Sequence, residues 1–269
     1  MDMDGKVVLV TGAGFPNGIG AGIAHCFSKE GAAVVLVDLE GAPLDETAAG
    51  MPGEAIGLTA DAASQKAMTE AANRAMEQYG HIDVLVNNAG VVGPDPMQEM
   101  PTEDIPGATV ADQLWDKSLT ANLHTTYASS IAVVPKMVDK GSVVNIASVA
   151  ALGPQPGQTA YGAAKAGVVH LTKTHAIQFA PRRIRVNCIC PGLLWTRAWE
   201  MGTANMKRNN PEYRDKAQRE IFEQIVAQTT PLGAEQTPED IGHLAVFFSS
   251  DKARMITGAV VAVGGGMEL

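Results

Sequence analysis

Tyr161 and Lys165 stand four residues apart in Tyr161-Gly162-Ala163-Ala164-Lys165, so on a helix their side chains share one face. A free phenol, with a pKa of about 10, is a poor base at neutral pH. An ammonium group beside it favours the phenolate and brings the phenol into the range where it exchanges protons. Ser148 lies 13 residues before Tyr161, just past the run Ser142–Ile146. The chemistry open to such a trio is proton transfer at an alcohol hydroxyl or a carbonyl oxygen. Alone the trio is weak: Tyr and Lys at this spacing are a common accident, and a lone Ser148 reads equally as a turn residue. It gains meaning only beside a group that exchanges a hydride with the same carbon.

A site for such a group is written earlier in the chain. Thr11-Gly12-Ala13-Gly14-Phe15-Pro16-Asn17-Gly18-Ile19-Gly20 follows a strand pattern and opens a helical one. Glycines there let the backbone turn tightly against a pyrophosphate, and the helix N-terminus supplies amide donors and positive dipole. The second strand ends in Val35-Leu36-Val37-Asp38, placing Asp38 18 residues beyond Gly20. A carboxylate at that offset accepts hydrogen bonds from a ribose 2′-hydroxyl and repels a 2′-phosphate. Positions 12–20 contain no Arg or Lys to hold that phosphate. The reading is therefore NAD, with NADP disfavoured by Asp38. Asp61, after the third strand, is either a turn residue or an adenine contact.

The elements that must position these residues alternate. Short apolar runs at Lys6–Val10, Ala33–Val37, Val84–Val86, Ser142–Ile146, Arg185–Ile189 and Val260–Val263, with a weaker one at Ala55–Leu58, read as buried parallel strands. Helical patterns lie between them at Ile19–Glu30, Gln65–Tyr79, Trp115–Val138, Tyr161–Phe179 and Pro238–Ser249. The expected fold is α/β, a Rossmann-type doubly wound parallel sheet flanked by helices on both faces. One domain over residues 1–269 is expected, with irregular substrate loops near 91–114 and 193–235. Ser148 then falls at the carboxyl edge of the sheet, where open α/β folds place their ligands.

Together, Thr11-Gly12 with Gly18-Ile19-Gly20, Asn87-Asn88-Ala89-Gly90, Ser148, Tyr161 with Lys165, and Pro191-Gly192 with Thr196 resemble the single-domain branch of the short-chain dehydrogenase/reductase family. The likeness covers the whole chain in the family's order. It implies that Tyr161 is the general acid/base, that Ser148 hydrogen-bonds the substrate oxygen, and that Lys165 binds the nicotinamide ribose and tunes Tyr161. Asn122, in Thr120-Ala121-Asn122-Leu123, matches the family's helix asparagine, which holds a water in the proton relay. Thr196 matches the residue gripping the carboxamide. Gly12, Asn17, Ile19, Gly20, Asn87, Asn88, Ala89, Gly90, Pro191 and Gly192 are expected along the cofactor. A homotetramer is implied too, and Ala163, Ala164, Ala166 and Gly167 would allow close helix packing between or within subunits.

The pattern is broken in three places. Five residues, Ala13 to Asn17, separate Gly12 from Gly18 where the family usually has three. Pro16 among them has no amide hydrogen to offer a phosphate. A Pro-rich segment follows Gly90, and Val263-Gly264-Gly265-Gly266 lacks the Asp that often precedes the family's glycines.

Val149, Ala150, Gln155, Leu193, Trp195, Trp199 and Met201 either face the substrate or pack a loop onto the domain. Their apolar character suits an alicyclic, aromatic or steroid-like alcohol or ketone better than a phosphorylated sugar.

Bulk composition narrows the partners. A net charge of −9, from 20 Lys+Arg against 29 Asp+Glu, argues against nucleic acid. No apolar run reaches the ~18 residues of a membrane span, and the acidic N-terminus lacks signal-peptide character. Cys188 and Cys190 point to one face of a strand, a core position and not a metal site; a reducing cytoplasmic setting is expected. Two other functions fit a nucleotide fold: a catalytically inactive NAD-binding sensor or regulator, and an epimerase or dehydratase. The first is disfavoured by the intact trio, the second by the lack of a sizeable extra C-terminal domain.

Overall fold

Each apolar run forms a strand in the computed structural model, which describes residues 3–91, 112–154 and 157–269. The strands are β1 (Val7–Thr11), β2 (Ala33–Asp38), β3 (Ala55–Thr59), β4 (Val84–Asn87), β5 (Ser142–Ile146), β6 (Arg185–Pro191) and β7 (Val260–Val263). They make one parallel sheet in the order β3-β2-β1-β4-β5-β6-β7. Strand side chains alternate between its faces. Val8, Val10, Val34 and Leu36 join one core with Ile23, Phe27 and Ile241, whereas Val7, Leu9, Val35 and Val37 join another with Met68, Ala72 and Val133. Burial on both faces explains why the strands read as continuous apolar runs.

The helices are α1 (Ile19–Lys29), α2 (Leu44–Ala49), α3 (Gln65–Tyr79), α4 (Asp112–Leu119), α5 (Thr125–Val133), α6 (Thr159–Gln178), α7 (Arg197–Asn209), α8 (Gln218–Thr229) and α9 (Pro238–Ser249). Their ends follow local chemistry. Ser64 caps α3 by accepting the Ala67 amide, and Gly80 ends it with φ 81°. Thr237 and Asp240 form a reciprocal cap on α9, with Pro238 in its first turn. On one face of the sheet α1 and α9 cross closely: a Cβ on Gly22 would lie 2.2 Å from Pro238, and one on Gly242 2.5 Å from the Cys26 sulfur.

Two expectations need correction. The helix expected over Trp115–Val138 is interrupted, because Thr120–His124 forms a wider π turn between α4 and α5, and Val134–Lys136 a 3₁₀ turn. The segment 193–235, expected to be irregular, contains α7 and α8. Its apolar residues do cluster: Leu193, Phe222 and Val226 pack with Trp195, Trp199, Ile225 and Met267 in a satellite core. The expected loop near 91–114 and Gln155 lie almost wholly or wholly outside the described residues.

Candidate active site

The strand order reverses between β1 and β4, which is where a parallel sheet opens a crevice at its carboxyl edge. Thr11 stitches that point together. Its hydroxyl oxygen accepts the amides of Asn88 (3.1 Å) and Ala89 (3.0 Å). Asn88 in turn donates through Nδ2 to the Thr11 and Gly12 carbonyls at 3.0 and 2.9 Å. Gly12 has φ +66°, and a Cβ there would lie 2.8 Å from the Ala89 Cα. At Gly20 an added Cβ would lie 2.3 Å from the Gly12 carbonyl oxygen. Strand, turn and helix approach this closely only because both side chains are absent. Gly20→Ala is expected to cost about 2 kcal/mol by overpacking against backbone that cannot yield. Urea unfolding measures it, and an unchanged midpoint would mean that the turn adjusts freely.

The five-residue turn divides into two parts. Gly14 faces away from the crevice: its amide donates to Asp38 Oδ2 (2.8 Å) and its carbonyl accepts the buried Thr47 hydroxyl (2.8 Å). Phe15, Pro16 and Asn17 project into the crevice, and the Gly18 amide closes the turn on the Phe15 carbonyl at 2.9 Å. Gly18 caps α1 without a side chain, and the first turn of α1 carries no acid. The leading amides and dipole of α1 therefore face the crevice without a competing carboxylate, which suits a dinucleotide's diphosphate. Asp38, ending β2, accepts Gly14 through one carboxylate oxygen and Leu39 through the other (both 2.8 Å), leaving lone pairs for hydroxyl donors.

The same crevice, a cleft of about 580 Å³, reaches Ser148, Tyr161, Lys165 and Asn122. Ser148 leaves β5 in an extended conformation and caps the 3₁₀ turn Val149–Ala151, accepting the Ala150 amide at 3.2 Å. Tyr161 lies in the first turn of α6 and Lys165 one turn on, its Nζ 5.8 Å from the phenol ring centroid. That ammonium is buried and donates to the Ile146 carbonyl at 3.1 Å. The π turn carries Asn122, fully buried, toward the chain leaving β4: Oδ1 accepts the Val91 amide (3.1 Å) and Nδ2 donates to the Val91 carbonyl (2.9 Å). Single π turns recur at functional sites because they re-aim a side chain. Gly90 stands between these groups; a Cβ there would lie 2.7 Å from Asn122 Oδ1 and 3.1 Å from Lys165 Nζ.

Burial shifts both titratable groups of this cluster. Burial pushes the Tyr161 phenol above its ordinary value, and the Ser148 hydroxyl draws it partly back. Burial also holds Lys165 down at about 8, with the Cys188 and Cys190 thiols pulling it slightly upward. A value of about 8 leaves Lys165 mostly protonated at neutral pH, one helix turn from the Tyr161 phenol.

Not every expected residue lies on the cleft. Gly12, Asn17, Ile19, Asn88, Gly90, Pro191, Gly192, Thr196, Trp199 and Met201 line it. The Asn87 side chain turns inward instead, donating to Ser130 (3.0 Å) and Asn145 (2.8 Å), a correction that follows from strand alternation. Asp61 holds the turn into α3, accepting the Ala63 amide at 2.8 Å. Val149, Ala150 and Leu193 are buried, and Trp195 packs its ring at a tilt against Phe222 (5.1 Å between centroids). Leu194, next to Leu193, faces the cleft, as do Phe15 and Arg197. The sequence signal for Phe15 was the longer turn itself; for Arg197 it was its place directly after Thr196. Cys188 and Cys190 are buried free thiols, and no cluster of metal-ligating side chains occurs among the described residues.

Comparison with known proteins bears out the family and the fold. The family model described as enoyl-(acyl carrier protein) reductase matches residues 12–268. The 3-oxoacyl-[acyl-carrier-protein] reductase of Thermotoga maritima is 35% identical over 272 residues, spanning 99% of both chains. The chain is a short-chain dehydrogenase/reductase. Meso-2,3-butanediol dehydrogenase of Serratia marcescens is also 35% identical, over 99% of this chain and 96% of that one. Among solved structures, levodione reductase superimposes with TM-score 0.83 at 29% identity, covering 99% of this chain and 98% of that one. A mutant Serratia marcescens short-chain dehydrogenase/reductase gives 0.82 at 28% identity over the whole of both. As a short-chain dehydrogenase/reductase the protein is an oxidoreductase, and members of its family use a nicotinamide dinucleotide. No helix among the described residues is long and apolar enough to cross a membrane.

Proposed function

We propose that this enzyme interconverts a secondary alcohol and a ketone, using NAD(H), on an apolar alicyclic, aromatic or steroid-like substrate. The observation that carries the reading is the opening of Ser148, Tyr161, Lys165 and Asn122 onto the cleft formed by the Gly12–Gly20 turn. The bound nicotinamide supplies or accepts the hydride. Ser148 orients the substrate oxygen. Tyr161 takes the hydroxyl proton in oxidation and returns it in reduction, while the Lys165 ammonium favours its phenolate. Asn122 holds the chain after β4 against Lys165 and has the amide chemistry to seat a relay water. Thr196, at the start of α7, is placed to grip the carboxamide. The names of the butanediol dehydrogenase and levodione reductase relatives accord with alcohol–ketone chemistry. Leu194, Trp199, Met201 and Val91 give the substrate end its apolar lining.

Asp38 favours NAD, and Asp61 retains an acceptor for the adenine amino group. Asp38→Asn keeps an acceptor but removes the charge. Losing charge-assisted hydrogen bonds of about 1.5–3 kcal/mol should raise the KM for NAD about tenfold or more and narrow discrimination against NADP. Unchanged KM values for both cofactors would place cofactor choice elsewhere. The enzyme is expected to be a cytoplasmic homotetramer. Gly167 packs within the subunit, its missing Cβ 2.8 Å from Leu123, whereas Ala163 and Ala166 remain exposed for a neighbour. A panel of secondary alcohols and ketones, followed by NADH absorbance, tests the function. NADH binding without turnover on any of them would instead favour a nucleotide sensor.

A further inference from the structure

The longer turn uses up most of its own amides. The Ala13 amide donates to the Val37 carbonyl (3.3 Å), Gly14 to Asp38, Gly18 to the Phe15 carbonyl, and Pro16 has none. Residues 12–20 supply no cation either. A diphosphate seated at the α1 N-terminus would thus meet fewer turn donors than a glycine-rich turn with free amides provides. On the same cleft, Arg197 opens α7, and its guanidinium lies 5.5 Å from the centroid of the Phe15 ring. Phe15 is 42% exposed, so its ring face is open to the guanidinium that lies over it. Arg197 makes no ion pair among the described residues, although Glu200, one turn on, also lines the cleft. The other cation on the cleft, Lys165, is committed to Ile146.

We propose that Arg197 and Phe15 form a clasp: the ring holds the guanidinium over the turn, and the guanidinium grips the diphosphate of the bound dinucleotide, replacing the amides that the turn has lost. The inference rests on the dinucleotide reading above. A cation on an exposed aromatic face is held weakly, whereas guanidinium and phosphate make strong paired hydrogen bonds, so transfer from ring to diphosphate is favourable. Phe15, carried by the two additional residues, keeps Arg197 from swinging into solvent before the ligand arrives. Because Arg197 belongs to α7, which also bears Trp199 and Met201, gripping the diphosphate pins the substrate wall to the nucleotide.

Binding of ADP-ribose and of adenosine, measured by competition with NADH fluorescence, tests the clasp without turnover. Arg197→Ala should weaken ADP-ribose about tenfold or more and leave adenosine, which has no phosphate, unchanged. Phe15→Ala should weaken ADP-ribose about two- to fivefold. Unaltered ADP-ribose binding by Arg197→Ala overturns the clasp while sparing the dinucleotide site. Equal losses for both ligands overturn it as well, since they would mark a general disturbance of the cleft. Failure of the wild-type protein to bind ADP-ribose removes the dinucleotide reading and the clasp together.

Discussion

Tyr161→Phe is expected to lower kcat by about 10³-fold, within the ~10²–10⁴-fold range of a positioned acid/base, while NADH affinity stays within a few-fold of wild type. The separation follows from where the hydroxyl sits. Tyr161 opens onto the cleft beside Lys165 with its oxygen hydrogen-bonded to the Ser148 side chain, so the ring of Phe preserves the packing and gives up only that bond. Burial alone raises the phenol and makes it a poor base, so oxidation depends on Lys165 staying cationic next to it. Alcohol oxidation should therefore rise with pH only while Lys165 keeps its proton and fall off above about pH 8, and the residual activity of Tyr161→Phe should lack the rising limb. Full activity in the variant, read from steady-state kinetics beside NADH fluorescence titration, would remove Tyr161 from the mechanism.

Lys165→Met should produce two opposite effects. Activity is expected to drop by at least ~10²-fold, because the phenol loses the cation that favours its charged form. Stability without cofactor is expected to rise by about 1–3 kcal/mol. The sign comes from burial: Lys165 is held at about 8 against an ordinary lysine value near 10.5, with one carbonyl as partner. A lowered lysine pKa means that the folded protein binds fewer protons than the unfolded chain between about pH 8 and 10.5. Wild-type stability should thus gain from Lys165 as pH climbs through that window, and below it the buried charge costs a few kcal/mol, at about 1.4 kcal/mol per pKa unit. Methionine fills the same space without the charge and loses only the bond to Ile146. Urea unfolding of both proteins near pH 7 and near pH 9.5 checks this. A variant less stable than wild type at both would show that the ammonium is a structural asset and not a functional cost.

Much of this site is legible in the sequence because it rests on rules of period and spacing. Burial on both faces writes the strands as apolar runs, and a four-residue step on a helix places Lys165 under Tyr161. The unread parts lie where such rules are silent. A π turn at Thr120–His124 adds one residue to a turn, which an apolar pattern scarcely registers, yet it is what aims Asn122 at Val91. Neighbouring asparagines look alike in sequence, but alternation sends Asn87 to Ser130 and Asn145 and leaves Asn88 to clip the Gly12 turn. The same one-residue ambiguity separates Leu193, in the satellite core beside Phe222, from the equally buried Leu194, which joins the main core and borders the cleft. Helices α7 and α8 are hidden by their charged faces, since their apolar residues serve only a small satellite core.

The close crossing of α1 and α9 bears on how the chain is made. The Cys26 sulfur reaches the Glu239 carbonyl across 213 residues of sequence (3.9 Å), and Gly22 and Gly242 admit the opposing helix at backbone range. The N-terminus of α1 lines the cleft, but the helix waits for α9 to cover its other side. During synthesis, β1 and α1 leave the ribosome long before their packing partner is translated. The cleft can therefore be completed only after α9 has emerged, so the growing chain relies on non-local closure at the very step that shapes it.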